Sequence, residues 1–260
     1  HFLGRPRNVN KNDSMEGSYL GPEFSDEEIQ SRLTAIGAVF ETCSESVVLN
    51  KPARALADGH AVGWFQGRME FGPRALGGRS ILGDARSPDM QKTLNLKIKF
   101  RESFRPFAPS VLLEDAGSWF DLDGESPYML LVSNIAKARQ LPELDSNKNL
   151  FGIDKLNIQR SEIPAVTHVD YSARVQTVSG KANPKYYKLI NKFKEFTNFP
   201  VIANTSFNVR GEPIVCTPED AFRCFMGCEM DVLTIGNQIL YKSDQSPALA
   251  VDYREMFELD

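Results

Sequence analysis

Gly67-Arg68-Met69-Glu70-Phe71-Gly72-Pro73-Arg74-Ala75-Leu76-Gly77-Gly78-Arg79-Ser80 places three arginines and four glycines in fourteen residues, directly after the apolar run Ala61 to Phe65. Arginine presents a planar fork of donors that fits phosphate or carboxylate. Glycine lets a backbone turn sharply and come close to a ligand. The pattern predicts a loop that holds an anion. Basic residues continue through Lys92, Lys97, Lys99, Arg101 and Arg105. From Gly67 to Arg105, nine Lys/Arg stand against four Asp/Glu, a local +5 in a chain of net charge −4. The rest of the chain therefore carries −9, so the positive field is local and marks a site rather than a general polyanion surface.

Gly72 and Gly77 keep the gap of a G-x-x-x-x-G-K-[ST] phosphate loop, but Gly78-Arg79-Ser80 stands where Lys-Ser belongs. The chain is not read as a P-loop enzyme. Two other segments gather polar chemistry. His168-Val169-Asp170-Tyr171-Ser172-Ala173-Arg174-Val175-Gln176 reads as a polar binding strand with Arg174 as its best contact. Its Ser, His and Asp do not make a triad by being close in sequence, and no G-x-S-x-G elbow is present. Asn204-Thr205-Ser206-Phe207-Asn208 follows a buried strand, where α/β sheets place ligand loops. An ordinary Asx turn explains that segment equally well.

The elements that must carry these segments alternate between strand and helix. Ser25-Asp26-Glu27-Glu28 is a capping-box pattern opening a helix to about Ile36, and Thr217-Pro218-Glu219-Asp220 opens another to about Met226. Further helices are expected over 52–58, 88–96 and 184–197, and a short one over 114–120. The 184–197 helix would bury Tyr187, Ile190 and Phe193 or Lys194. Strands are expected at 39–42, 61–66, 80–83, 107–113, 128–133, 164–170, 174–178 and 200–203. Asp231 to Ile235 and Gln238 to Tyr241 should form a hairpin around Gly236-Asn237. Residues 1–24 read as a linker or surface arm, 135–163 as a long excursion, and 251–260 as an acidic end able to form a last helix. The expectation is an α/β fold, a twisted mixed sheet with packed helices.

Composition is that of an ordinary globular protein, 42% hydrophobic and 25% charged over 260 residues. No apolar run is long enough for a membrane span and no signal peptide is visible. Cys43, Cys216, Cys224 and Cys228 form no C-x-x-C pair, which favours a reduced, cytoplasmic setting. His1, His60 and His168 are the only histidines, so no metal site is expected from this chain alone.

Four long runs carry a resemblance: GRMEFGPRALGGRSIL (67–82), KIKFRESFRPFAPSVL (97–112), HVDYSARVQTV (168–178) and FPVIANTSFNVRGEPIVCTPEDAFRCF (199–225). Together they resemble the C-terminal domain of the nodulation-protein O-carbamoyltransferases, the NodU/CmcH family. The resemblance covers roughly residues 18–242. It implies a YrdC-like fold over 18–243, with 1–17 a linker from a missing N-terminal domain and 244–260 an acidic tail. It implies that carbamoyl phosphate and ATP, with its Mg²⁺, react to give carbamoyl-adenylate, whose carbamoyl group passes to a hydroxyl of a small acceptor. Carried over residue by residue, Arg74, Lys99 and Arg105 would bind phosphates and the carbamoyl moiety and act in catalysis. Arg79, Arg174, Asn204 and Ser206 would contact the nucleotide. The family motif usually reads HVDGTARPQ, from which Tyr171, Ser172 and Val175 depart. The family's other half is an actin-like partner domain with a histidine-rich metal site, and nothing in these residues matches it. The competing reading is a non-catalytic nucleotide- or RNA-binding module. An isoelectric point near 5.6 argues against broad nucleic-acid binding.

Overall fold

Ser25 and Thr217 start their helices as their sequences predict. The Ser25 hydroxyl accepts from Glu28 N at 3.2 Å and opens α1 (Asp26–Ala35). The α-helix Pro218–Gly227 begins with a reciprocal box. Thr217 Oγ1 accepts from Asp220 N at 3.2 Å, and Asp220 Oδ2 accepts from Thr217 N at 3.0 Å. The computed structural model describes residues 4, 6, 13, 15–142, 150–152, 155 and 158–250. The expected acidic helix at 251–260, most of the 1–17 linker and much of the 135–163 excursion lie outside the described residues.

The intervening helices are α2 (Glu45–Ala57), α3 (Met90–Thr93), α4 (Ala116–Trp119) and α5 (Pro184–Thr197), which makes Pro218–Gly227 α6. α2 begins seven residues before the expected Pro52. That proline removes one helical hydrogen bond, but it lies in the buried stripe Val48, Leu49, Pro52, Ala53 and Leu56. Burying such side chains contributes about 1.5–3 kcal/mol each for the larger ones, enough to offset the lost bond. α5 buries Tyr186, Leu189, Ile190 and Phe193, so its inward phase is set by Tyr186 rather than Tyr187. Residues 164–166 form a 3₁₀ turn, not the expected strand. Pro164 has no N–H to give a ladder, and its fixed φ suits the first turn.

Among the described residues, nine strands form one mixed sheet: β1 (Glu41–Thr42), β2 (Val62–Phe65), β3 (Arg79–Asp84), β4 (Ala108–Leu112), β5 (Leu131–Asn134), β6 (Ser172–Val178), β7 (Val201–Ser206), β8 (Val232–Ile235) and β9 (Gln238–Tyr241). The order is β1-β9-β8-β2-β3-β7-β4-β6-β5, with β2–β8 and β4–β6 parallel and the other pairs antiparallel. β8 and β9 make the expected hairpin, with Ile235 opposite Gln238. Strand alternation sends Phe65, Ile81, Val111, Ala203 and Leu233 to a core shared with α1, α3 and α6. Val62, Trp64, Leu82, Ile202 and Val232 face the other way, against α2 and α5. The sheet is thus covered on both faces, the α/β architecture expected.

Residues 18–22, just before α1, are tied to the arginine loop. Phe71 N donates to Ser18 O at 2.7 Å, Gly21 N to Met69 O at 2.9 Å and Met69 N to Pro22 O at 3.0 Å. Residues 18–22 therefore lie along 69–71 like an added strand, and Tyr19 reaches on to Leu76 O at 2.7 Å.

Candidate functional site

Register brings the singled-out segments to one end of the sheet. β2 ends at Phe65 opposite Arg79, where β3 begins. Ser206, at the end of β7, lies opposite Ser80. β4 begins at Ala108 opposite Asn204, and β6 runs parallel to β4 with Gln176 opposite Ser110. The connections 66–78, 99–107, 168–171 and 207–213 consequently emerge together, although they are far apart in sequence.

Between the second and fourth of these lies a cleft of about 340 Å³ lined by Lys99, Arg101, Arg105, Arg210, the Ser206–Asn208 turn and Glu212. Lys99 is 4% exposed. Its Nζ donates to Ser206 O, to Ser206 Oγ at 3.3 Å, and to Asn208 O and Oδ1 at 2.8 Å each. Burial, with the Arg101 charge adding to it, lowers the Lys99 pKa to about 7. α3 delivers it by widening into a π turn over Leu94–Ile98, after which Phe100 takes φ +50°. Asn95 braces the exit. Its amide donates to Ser103 O at 3.0 Å and Arg105 O at 2.8 Å, and its Oδ1 accepts from Arg101 Nε at 2.6 Å. Arg101 also lies over the Phe107 ring, 5.0 Å from its centroid. Burial lowers Arg101 to about 10. Arg105 stays half-exposed, 3.2 Å from Glu102. Four cations thus meet one lining carboxylate, Glu212, whose Oε2 already accepts from Val209 N at 2.9 Å.

The arginine loop differs from the expectation in one respect. Its backbone N–H groups do form an anion nest, but Glu70 fills it. The Glu70 carboxylate, 5% exposed, accepts from Leu76 N at 2.7 Å, from Gly78 N, and from Arg79 N at 3.1 and 3.2 Å. Gly77 turns the chain at φ +101°, where a Cβ would strike the Tyr186 ring.

Arg79 and Asn204, expected to contact the nucleotide, both have their side chains turned into the protein. Arg79 is fully buried over the Phe65 ring, 3.5 Å from its centroid. Its guanidinium donates to Gln66 O, Gly67 O, Gly78 O and Pro22 O at 3.0–3.2 Å. Desolvation lowers it to about 10. Asn204 is 1% exposed, and its amide donates to Ala75 O, Ser110 Oγ and Gln176 Oε1 at 2.9–3.1 Å. Both hold the loop from within. Spacing could not separate these inward side chains from ligand-facing ones.

Arg74 and Arg174 lie nearer the surface. Arg74 is exposed at the loop's crest. Arg174, on β6, has its pKa lowered by burial and then by the Arg74 charge, and its buried Nε has no partner. Val132 on β5 is its cross-strand neighbour. Nearby, Ser172 Oγ donates to Asp170 Oδ1 at 2.6 Å and lies 3.4 Å from His168 Nδ1. Serine sits between the other two, the order of a turn rather than of a nucleophile–base–acid relay. Arg101, Arg210 and Asn208 join the cleft without being among the site residues that the resemblance implies. Arg101 lay in the basic run already noted, whereas nothing in the sequence distinguished Arg210 from a solvated arginine.

Among the described residues no group of three His, Cys, Asp or Glu gathers to hold a metal ion, and no helix is long and apolar enough to cross a membrane. The four cysteines are free thiols.

A protein of Synechocystis sp., sll1178, itself uncharacterized, is 56% identical across 100% of this chain and 43% of its own length. The nodulation protein NolNO of Sinorhizobium fredii is 40% identical over 90% of this chain and 32% of its own. The 3′-hydroxymethylcephem-O-carbamoyltransferase of Streptomyces clavuligerus is 37% identical over 74% of this chain and 33% of its own. The chain therefore spans about a third to two fifths of the length of these relatives. The carbamoyltransferase C-terminus family matches residues 53–242, a range that takes in every segment of the cleft, and the chain belongs to that family.

Proposed function

We propose that the cleft at the strand ends binds carbamoyl phosphate and ATP, and that this chain is the activating part of an O-carbamoyltransferase. One observation carries the reading: Lys99, Arg101, Arg105 and Arg210 converge on a cleft lined by a single carboxylate. Water releases phosphate from carbamoyl phosphate to leave carbamate, and the carbamate oxygen displaces pyrophosphate from the ATP α-phosphate to give carbamoyl-adenylate; bringing these anions together requires cations that offset their repulsion and the charge of the transition state. Arg101 and Arg105 supply forked donors, and Arg74 and Arg174 supply a second pair on the loop side. Lys99, held by Ser206 and Asn208, supplies a fixed point charge at the cleft floor. Positioning and charge account for this chemistry, so no covalent nucleophile is required.

The cleft offers no cage for Mg²⁺. Glu212 is committed to Val209 N and Glu102 to Arg105. Magnesium would arrive on the nucleotide's phosphates, where it supplies charge neutralisation. A hydroxyl acceptor is supported by the relative whose name specifies O-carbamoyl transfer to a hydroxymethylcephem. Choice of acceptor and the transfer step belong to the remaining length those relatives carry.

Calorimetry of this chain with ATP and with carbamoyl phosphate, separately and together, tests the reading. Binding of both, weakened about 10- to 100-fold by Arg105→Ala, is expected from the loss of one charge-assisted contact. Absence of binding by either compound would end the proposal. Salt-steep retention of tRNA in its place would favour the RNA-binding module.

A further inference from the structure

The backbone of the arginine loop has nothing left to offer a ligand between Leu76 and Arg79. Three of its N–H groups end on Glu70, and Gly77 N donates to Ser80 Oγ at 3.1 Å. Its carbonyls are taken as well. Ala75 O accepts from Asn204, Leu76 O from Tyr19 and Gln176, and Gly77 O from Trp64 and Asn183. What the loop presents outward is its crest, Phe71 to Arg74, all exposed, with Phe71 at 73%. The crest has no buried side chain of its own. Apart from Phe71 N, which donates to Ser18 O, its restraint comes from its two ends, and one carboxylate joins them: Glu70 at the start and residues 76–79 at the finish.

A buried carboxylate is costly unless its lone pairs are met by donors. Glu70 meets that condition only while the loop is closed around it. Closure therefore happens on folding, and Arg74 does not have to be ordered again when a ligand arrives. We propose that Glu70 is a positioning residue of the site: its carboxylate clasps the two ends of the loop and holds Arg74 facing Arg174, where the two arginines share an anion. The inference rests on the proposed reading only in treating Arg74 as a ligand contact.

A double-mutant cycle tests it. Wild type, Glu70→Gln, Arg74→Ala and the double variant are titrated with ATP and with inorganic phosphate, and thermal unfolding is recorded for each. Gln is isosteric but cannot accept with both terminal atoms. Each single variant is expected to weaken ATP binding about 10-fold or more, as loss of a contact to a charged group does. The double variant should be no more than about 3-fold weaker than the weaker single variant, because both changes remove the same contact. In Glu70→Ala, added formate should refill the nest and restore affinity, and in Glu70→Ala/Arg74→Ala it should restore thermal stability alone. If Glu70→Gln does not fold, Glu70→Asp, which keeps the charge and retracts it by one methylene, takes its place in the cycle. Losses that multiply, or a folded Glu70 variant with wild-type affinity, would overturn the inference while leaving the cleft reading intact. A wild type that binds neither ligand would remove both.

Discussion

Lys99 Nζ donates to Asn208 Oδ1 at 2.8 Å, joining the π turn after α3 to the turn after β7 across 109 residues of sequence. Asn208 is oriented in its own right, since its amide donates to Glu212 O and its Oδ1 accepts from Ser206 Oγ. The cation at the cleft floor is therefore fixed before any ligand enters.

That placement makes folding and binding respond to pH in opposite directions. Lys99 has its pKa lowered from 10.5 to about 7. Between those values the unfolded chain holds a proton that the folded chain lacks, so the Lys99 contribution to stability rises with pH from about 7 to about 10.5. Below about 7 the penalty of its buried charge is fully present. Lys99→Met should abolish this slope in urea unfolding measured across that range. Phosphate affinity should fall as pH rises through about 7, since the charge that attracts the anion is lost. Parallel stability curves for the two proteins would contradict the assignment.

Arg74 and Arg174 repel one another in the free protein. Arg174→Gln should leave unfolding stability unchanged or raise it by up to about 0.5 kcal/mol, the usual span for surface changes. The same change should weaken ATP binding about 10-fold or more. Calorimetry alongside thermal unfolding checks both. A variant that loses stability and keeps affinity would make Arg174 a structural residue.

Arg79→Lys should do the reverse. It removes the fork that gathers four carbonyls while keeping the charge buried. A loss of about 3–5 kcal/mol is expected, in the range for breaking a buried charged network. Affinity of the folded fraction should stay near wild type. Direct loss of nucleotide binding in a stable Arg79 variant would return this residue to the ligand's first contacts.

Tyr171 adopts φ +64°, a left-handed conformation that disfavours side chains. This is the position at which the family motif HVDGTARPQ has glycine. Tyr171→Gly should raise stability by about 1 kcal/mol through relief of that strain. Chemical denaturation measures it, and a destabilised variant would mean that the tyrosine's own contacts outweigh the strain.

Much of the architecture was legible because local signals and burial agreed. Ser25 and Thr217 marked helix starts, and Gly236-Asn237 marked the hairpin. α2 starts earlier than the expected residue 52, because the burial of Pro52 between Leu49 and Ala53 depends on a sheet face assembled from distant strands. The cationic character of the cleft was visible in the charge run, but its shape was not. Arg79 and Arg74 lie five positions apart in one loop, yet one is sealed over Phe65 and the other is open to solvent. Glu70 was counted as a charge opposing the field, when it organises the loop that carries part of it.

Tyr19 and Pro22 set a boundary for anyone shortening the chain. The family match begins at residue 53, yet Pro22 O takes the Arg79 guanidinium and the Tyr19 hydroxyl backs Leu76. A segment trimmed to the match would keep every cation of the cleft and lose the scaffolding behind one wall of it. The heritable unit, the stretch that must travel together through any fusion or swap, reaches further forward than the unit recognised by similarity.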